Sequence, residues 1–139
     1  MADVMTIAQR SALMARIRGR GNESTELLLA RLLRAEKIFG WLRHVSMTGR
    51  PDFIFRRAKV AVFVDGCFWH GCPRHFKAPQ ARAKFWKDKI GANKRRDTAV
   101  DTALRKSGWR VIRIWEHGLT RAEAARSLRR IRSAIAASR

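Results

Sequence analysis

Gly49-Arg50-Pro51-Asp52-Phe53-Ile54-Phe55-Arg56-Arg57-Ala58-Lys59-Val60-Ala61-Val62-Phe63-Val64-Asp65 is the stretch on which the fold turns. Gly49-Arg50-Pro51 makes a turn into a first strand, Asp52 to Phe55. Arg56-Arg57-Ala58 is so short a connection that Lys59 to Val64 must return antiparallel, as a hairpin. Its Val-Ala-Val-Phe-Val core is apolar at every position, which suits a strand covered on both faces. Asp52, at the start of one strand, then falls beside the end of the next, near Val64.

The flanking segments supply the cover. Upstream, a helix over about Ile7 to Arg18 places Leu13, Met14 and Ile17 on one face, and Gly19-Arg20-Gly21 breaks it. A second helix starts at the caps Ser24 and Thr25, runs to about Lys37 and is expected to bury Leu27, Leu28, Leu32 and Leu33. Gly40 ends it, and Trp41 to Val45 reads as a strand. Downstream, residues Asp65 to Lys84 are irregular, and a long basic helix follows from about Phe85 to Lys106. Trp109 to Trp115 is a further strand, and an amphipathic helix runs from about Thr120 to Ala137. Because the long helix is a crossover, the Trp109 strand is expected parallel to the Lys59 strand. The class is α/β, with a mixed central sheet flanked by helices in one domain spanning residues 1–139. Asp65, Cys67, His70, Glu116 and His117 should all gather at one end of that sheet.

Composition narrows the partners. The 139 residues hold 31 Lys+Arg against 11 Asp+Glu, a formal charge of +20, and the basic residues are spread along the whole chain. A surface so positive points to a nucleic-acid partner. Val60 to Val64, the longest apolar run, is far too short to span a bilayer, and the N-terminus lacks the apolar centre of a signal peptide. No membrane association is expected, and a soluble intracellular protein is the reading that follows.

Asp65-Gly66-Cys67-Phe68-Trp69-His70-Gly71-Cys72-Pro73-Arg74-His75 carries the most specific chemical signal. Two cysteines among histidines favour a metal over a disulfide. Cys67, Cys72, His75 and His117 could make a tetrahedral structural zinc site, with His70 as a rival for either histidine position. The plainer alternative is two buried thiols beside surface histidines.

Asp52 sits where β-propensity would not choose an aspartate. It is either a turn cap or, near the cysteine–histidine loop, an oxygen ligand for Mg2+. Asp97, after Arg95-Arg96, either orients His70 or decorates the helix surface. Phe68, Trp69 and Trp86 lie in a basic stretch and are expected to stand exposed, as a wedge between base pairs requires. Core packing is the competing explanation. The basic residues from Lys84 to Arg96 outnumber their acids, which favours phosphate contacts.

Up to about Leu119, the sequence resembles the very short patch repair (Vsr) endonucleases, a branch of the PD-(D/E)xK nuclease superfamily. The resemblance rests on Arg10-Ser11 with Met14 and Ile17, Gly49-Arg50-Pro51-Asp52-Phe53, and Gly66-Cys67-Phe68-Trp69-His70. It continues through Phe85-Trp86 with Lys89-Ile90, Asn93 with Arg96-Asp97, and Gly108-Trp109-Arg110-Val111 with Trp115-Glu116. It implies a Mg2+-dependent enzyme of PD-(D/E)xK fold that nicks double-stranded DNA on the 5′ side of the thymine in a T:G mismatch. Such a mismatch arises from deamination of 5-methylcytosine.

The resemblance also implies roles. Asp52 matches the catalytic, metal-bridging carboxylate, and Val64 takes a position whose backbone carbonyl holds metal. His70 matches the general base or acid, Asp97 its partner, and Glu26 an acid near the metal. Phe68, Trp69 and Trp86 match the wedge, while Lys89, Asn93 and Arg96 fall in the DNA-contacting part of the long helix. Met14 and Ile17, within residues 1–21, match a helix closing over the minor groove, and Cys67, Cys72 and His117 fall in a structural zinc site within residues 65–84 and beyond. Two positions depart from the family pattern: His117 stands where some relatives have cysteine, and His75 is expected to supply a ligand that others place elsewhere. The implied setting is a cytoplasmic, nucleoid-associated monomer working with other repair proteins. Two other readings stand beside this one: a zinc-stapled DNA-binding module without catalysis, and a PD-(D/E)xK nuclease with another DNA target.

Overall fold

A computed structural model describes residues 23–138, so the expected helix bearing Met14 and Ile17 lies outside the described residues. The elements are α1 (Glu23–Ala35), β1 (Trp41–Arg43), β2 (Phe53–Phe55), β3 (Val60–Asp65), α2 (Ala83–Lys106), β4 (Arg110–Trp115), a 3-10 turn (Glu116–Leu119) and α3 (Ala124–Ala137). The strands form one sheet in the order β1-β2-β3-β4. β1 and β2 pair antiparallel, as do β2 and β3, whereas β3 and β4 are parallel. The mixed α/β architecture expected from the sequence is the one observed.

Side-chain alternation divides the sheet into two cores. Val60, Val62 and Val64 of β3 join Phe53, Phe55, Ile112 and Ile114 beneath α1 and α3, against Leu29, Leu33, Leu128 and Ile131. Ala61 and Phe63 face the other way, with Ile54 and Leu104, beneath α2. All six residues of β3 are buried, as a strand covered on both faces requires. Asp65 continues the alternation, so it points to the α2 side at the end of the sheet. Among the described residues no helix is long and apolar enough to cross a membrane.

Several boundaries and one helix face differ from expectation. α1 begins at Glu23, so Ser24 and Thr25 fall inside its first turn instead of capping it. Its inward face is Glu26, Leu29, Ala30 and Leu33, and Leu27, expected in the core, is 43% exposed. The spacing i, i+3, i+4, i+7 therefore runs through a carboxylate, which an apolar count skips. β1 stops at Arg43 because His44 has φ 56, which takes the backbone out of the strand. α3 starts at Ala124, since Thr120 to Glu123 form a turn closed by Glu123 N–H to the Thr120 carbonyl at 3.0 Å.

Candidate active site and metal centre

The hairpin brings Asp52 to the end of β3, where its Oδ2 accepts the Val64 N–H at 2.6 Å. The Val64 side chain points into the apolar core and is 5% exposed, so only its backbone is available to a ligand. Glu26 arrives from the inward face of α1, buried, with its carboxylate 3.0 Å from Arg43 of β1. Burial, joined by a hydrogen bond and charge repulsion from Glu26, pushes the Asp52 carboxyl up to about 9, against the lowering effect of Val64 N–H. Two carboxyl groups held together at the end of a sheet make a hard-oxygen donor set suited to Mg2+. A divalent cation would relieve the repulsion that the proton on Asp52 otherwise relieves.

His70 belongs to a second group on the α2 side. Its Nδ1 lies 2.6 Å from Asp97 Oδ2 and 3.8 Å from Asp65 Oδ1. Burial works to lower the His70 pKa, but the Asp97 hydrogen bond and the charges of Asp65 and Asp97 prevail, so it is raised. Burial likewise raises the Asp65 carboxyl, with His70 and Arg113 opposing. Asp65 also adds to the repulsion felt by Asp52, whose hydrogen-bond partner Val64 precedes it in β3.

Arg113 of β4 ties these acids together. It donates to Asp65 at 3.0 Å and to Asp101 at 2.8 Å, and approaches Asp97 Oδ1 at 3.7 Å. Its guanidinium stacks over Phe63 at 4.1 Å, its cross-strand partner in the β3–β4 register.

The spacing left His70 and His75 as rivals, and the structure sets them apart. Cys67, Cys72, His75 and His117 bring one ligand atom each to within 4.8 Å of the others. The four sulfur-to-Nδ1 separations are 3.9, 3.4, 3.6 and 3.7 Å. Tetrahedral zinc–sulfur and zinc–nitrogen bonds put sulfur and nitrogen about 3.6 Å apart, so the geometry fits one zinc ion. His70 is outside this set, because Asp97 holds it. Burial pushes the Cys67 thiol up to about 12, with nearby Glu116 and Cys72 adding to the rise. The Cys67 N–H donates to Glu116 Oε1 at 2.7 Å, and Glu123 Oε2 stands 3.9 Å from His117 Nε2, an outer-shell carboxylate behind the ligand.

The loop packs on α2 through aromatic rings and Gly71. Phe68 meets Trp69 at 5.4 Å and Trp86 at 5.3 Å, with Trp69 to Trp86 at 5.8 Å. The expectation of exposure fails for Trp86, which is 9% exposed. Its side chain is the floor of the cluster, while Phe68 and Trp69 are half-buried and Phe85 is 42% exposed. Three rings in mutual contact shelter the innermost one, which linear sequence does not reveal. Asn93 Nδ2 donates to the Trp69 carbonyl at 2.9 Å and its Oδ1 accepts from Arg96, so both residues brace the loop. Lys89 is half-buried on the same helix. Gly71 has φ 65, and a Cβ there would stand 2.6 Å from Ile90 Cγ2.

The structure thus brings Asp52 beside Glu26, His70 beside Asp97, and Cys67, Cys72, His75 and His117 into one cluster. Arg43, Arg113, Asp101 and Glu123 escaped the sequence reading. Arg113 had a signal: an arginine between Ile112 and Ile114 in a covered strand must find carboxylates, and Asp97 and Asp101 lie one helical turn apart.

Comparison with known proteins adds the lineage of the site. A family model described as DNA mismatch endonuclease Vsr matches residues 2–75. The DNA mismatch endonuclease Vsr of Escherichia coli K12 is 39% identical over 120 residues, covering 86% of this chain and 76% of that protein. The type II nicking enzyme V.NaeI of Lentzea aerocolonigenes is 48% identical over 68 residues, 49% of this chain and 41% of that protein. V.NmeAIP of Neisseria meningitidis serogroup A, another type II nicking enzyme, is 30% identical over 97% of this chain and 100% of its own length.

Proposed function

The chain belongs to the Vsr family of DNA mismatch endonucleases, and from that premise we propose that it nicks the thymine strand 5′ to a T:G mismatch, with Mg2+, to start repair of deaminated 5-methylcytosine. The observation that carries the reading is that the Asp52–Glu26 pair and the His70–Asp97 pair both come to the end of β3, the first at Val64 and the second at Asp65.

Asp52 and the Val64 carbonyl would hold Mg2+, with Glu26 alongside, and the ion would neutralise charge gathering on the phosphate and the leaving oxygen. His70 supplies the proton traffic. Its Nδ1 is committed to Asp97, which leaves Nε2 for the substrate. In hydrolysis, water oxygen bonds to phosphorus, the bond from phosphorus to the leaving oxygen breaks, and that oxygen takes up a proton. Nε2 is the atom suited to carry a proton at either stage. Asp97, held by Arg113, fixes the ring orientation and the tautomer.

Phe68 and Trp69 would form the wedge against the mismatch, with Trp86 as their support. Lys89, Asn93 and Arg96 would contact the backbone or hold the wedge loop, and Met14 and Ile17 would close over the minor groove. Zinc on Cys67, Cys72, His75 and His117 would be structural, since all four positions come from protein and none is left for substrate. A single-domain monomer in the cytoplasm at the nucleoid, followed by other repair proteins, completes the proposal.

The test is nicking of labelled duplexes, T:G against matched and other mismatches, with Mg2+ or EDTA. Mg2+-dependent cutting of the thymine strand alone is expected, lost in Asp52→Ala. Cutting without mismatch preference would replace the T:G reading with a nuclease of another target.

A further inference from the structure

A groove lined by none of the site residues described above runs along the outer edge of β4. Arg105, Trp109, Arg110, Arg126, Arg129 and Arg130 supply its polar and aromatic lining, and no carboxylate enters it. β4 is an edge strand of the sheet, and the groove opens between that edge, the end of α2 and the flank of α3. Arg110 is at the start of β4 and pairs with Val60, whereas Trp115 at its far end pairs with Asp65. The strand residues of the groove, Arg110 to Ile112, thus belong to the start of β4, away from the end that carries Asp65 and His70, while Arg126 and Arg130 of α3 reach further along it.

Five guanidinium groups in one groove repel one another unless an anion is present. The acids among the described residues do not answer them. Asp65 and Asp101 bind Arg113, Glu26 binds Arg43, Glu36 binds Arg132, Asp88 binds Lys84, and Glu123 binds Arg74. Among the described residues none of the five groove arginines pairs with a carboxylate. Two of them are held in place by backbone carbonyls: Arg130 donates to Arg113 O at 3.1 Å and Arg110 to Ala137 O at 3.3 Å. Arg105, Arg126 and Arg129 are exposed at the rim.

We infer that this groove binds the phosphate backbone of a second DNA segment while the first occupies the nicking site. All the basic groups are arginines, whose planar forks match phosphate oxygens two at a time. Half-buried Trp109 adds an aromatic surface, and Ile112 is buried in the floor, so the groove has no deep apolar socket for a protein side chain. Asp52 lies by Val64 near the far end of β3, and two strands in from this edge. The inference rests on the functional reading for DNA as the polyanion and for the nicking site that the first duplex occupies.

The test uses the full chain without added Mg2+, a short T:G duplex carrying one dye and a matched duplex carrying another. Sedimentation should show one chain carrying both dyes. The triple variant Arg105→Gln/Arg126→Gln/Arg129→Gln should lose the second duplex and, in a separate assay with Mg2+ supplied, keep T:G nicking. Its slope of log affinity for that duplex against log salt should flatten by about 2.7, for three lost phosphate contacts. One duplex per chain at saturation, or an unchanged slope in the triple variant, would overturn the inference. Displacement of the second duplex by polyglutamate at equal charge would also overturn it, in favour of an acidic protein partner. Nicking of T:G by wild type is scored separately, so failure of the repair reading is distinguishable from failure of the groove.

Discussion

His70 and Asp97 meet at 2.6 Å, joining the loop that follows β3 to the middle of α2. The contact leaves one imidazole nitrogen uncommitted and makes the ring position depend on a helix 27 residues away in sequence. Replacing His70 with Ala is expected to slow nicking roughly 10²- to 10⁴-fold, the range for a lost general acid–base, with T:G binding retained. Equal loss of binding and of rate, measured by gel shift and single-turnover nicking, would contradict the assigned role. The raised His70 pKa also has a stability consequence. The pairing contributes fully below the unfolded value of about 6.5 and is lost as pH rises through the higher folded value. Thermal melts of wild type and His70→Gln should therefore diverge most on the acid side.

Asp52 gives the clearest prediction about metal. Its folded carboxyl is raised to about 9, so its contribution to stability is full below the unfolded value of 3.8 and falls as pH climbs towards 9. Asp52→Asn removes that penalty, and at neutral pH without Mg2+ the variant should melt higher than wild type. Mg2+ should then raise the melting temperature of wild type but not of the variant. A lower melting temperature for Asp52→Asn, or the same Mg2+ response in both, would count against the site.

Arg43 is the partner of a buried carboxylate, and its loss leaves Glu26 uncompensated. Arg43→Ala is expected to cost about 3 kcal/mol of stability, the lower end of the range for breaking a buried ion pair. Urea melts will measure it. The double variant Arg43→Ala/Glu26→Gln should recover much of the loss, whereas failure to recover would assign the effect to Arg43 packing on Phe53.

Zinc content discriminates between the histidines. His75→Ala and His117→Ala should lower the metal content, whereas His70→Ala should leave it unchanged, because His70 faces Asp97. Atomic absorption on each purified variant decides the matter. Chelation of wild type should expose the loop between β3 and α2 to proteolysis while the sheet persists. An intact loop after complete metal removal would refute the structural role.

Gly71 has a backbone argument of its own. With φ 65 and Ile90 close to where a Cβ would lie, Gly71→Ala should destabilise by roughly 1–3 kcal/mol and weaken nicking by displacing His70. Unchanged melting would show that the loop can retreat from α2 without loss.

The hairpin, the crossover and the parallel pairing of the last strand with Lys59 to Val64 were legible in the sequence, because apolar runs and the lengths of connections are local signals. The same locality placed Asp52 beside Val64 and put Cys67, His70 and His117 at one end of the sheet. Tertiary structure decided the rest. Cys67 and Cys72 accept imidazole from any histidine within reach, so spacing alone left His70 and His75 equivalent until Asp97 claimed one of them. Trp86 could be assigned to the floor of the aromatic cluster only once Phe68 and Trp69 lay over it. Glu26 belongs to the inward face of α1 because Arg43, from another strand, compensates its burial, and no helical periodicity reveals a partner 17 residues away. Apolar periodicity is a property of neighbours in sequence and dictates the fold. Pairing of buried charge belongs to neighbours in space, and it set the site.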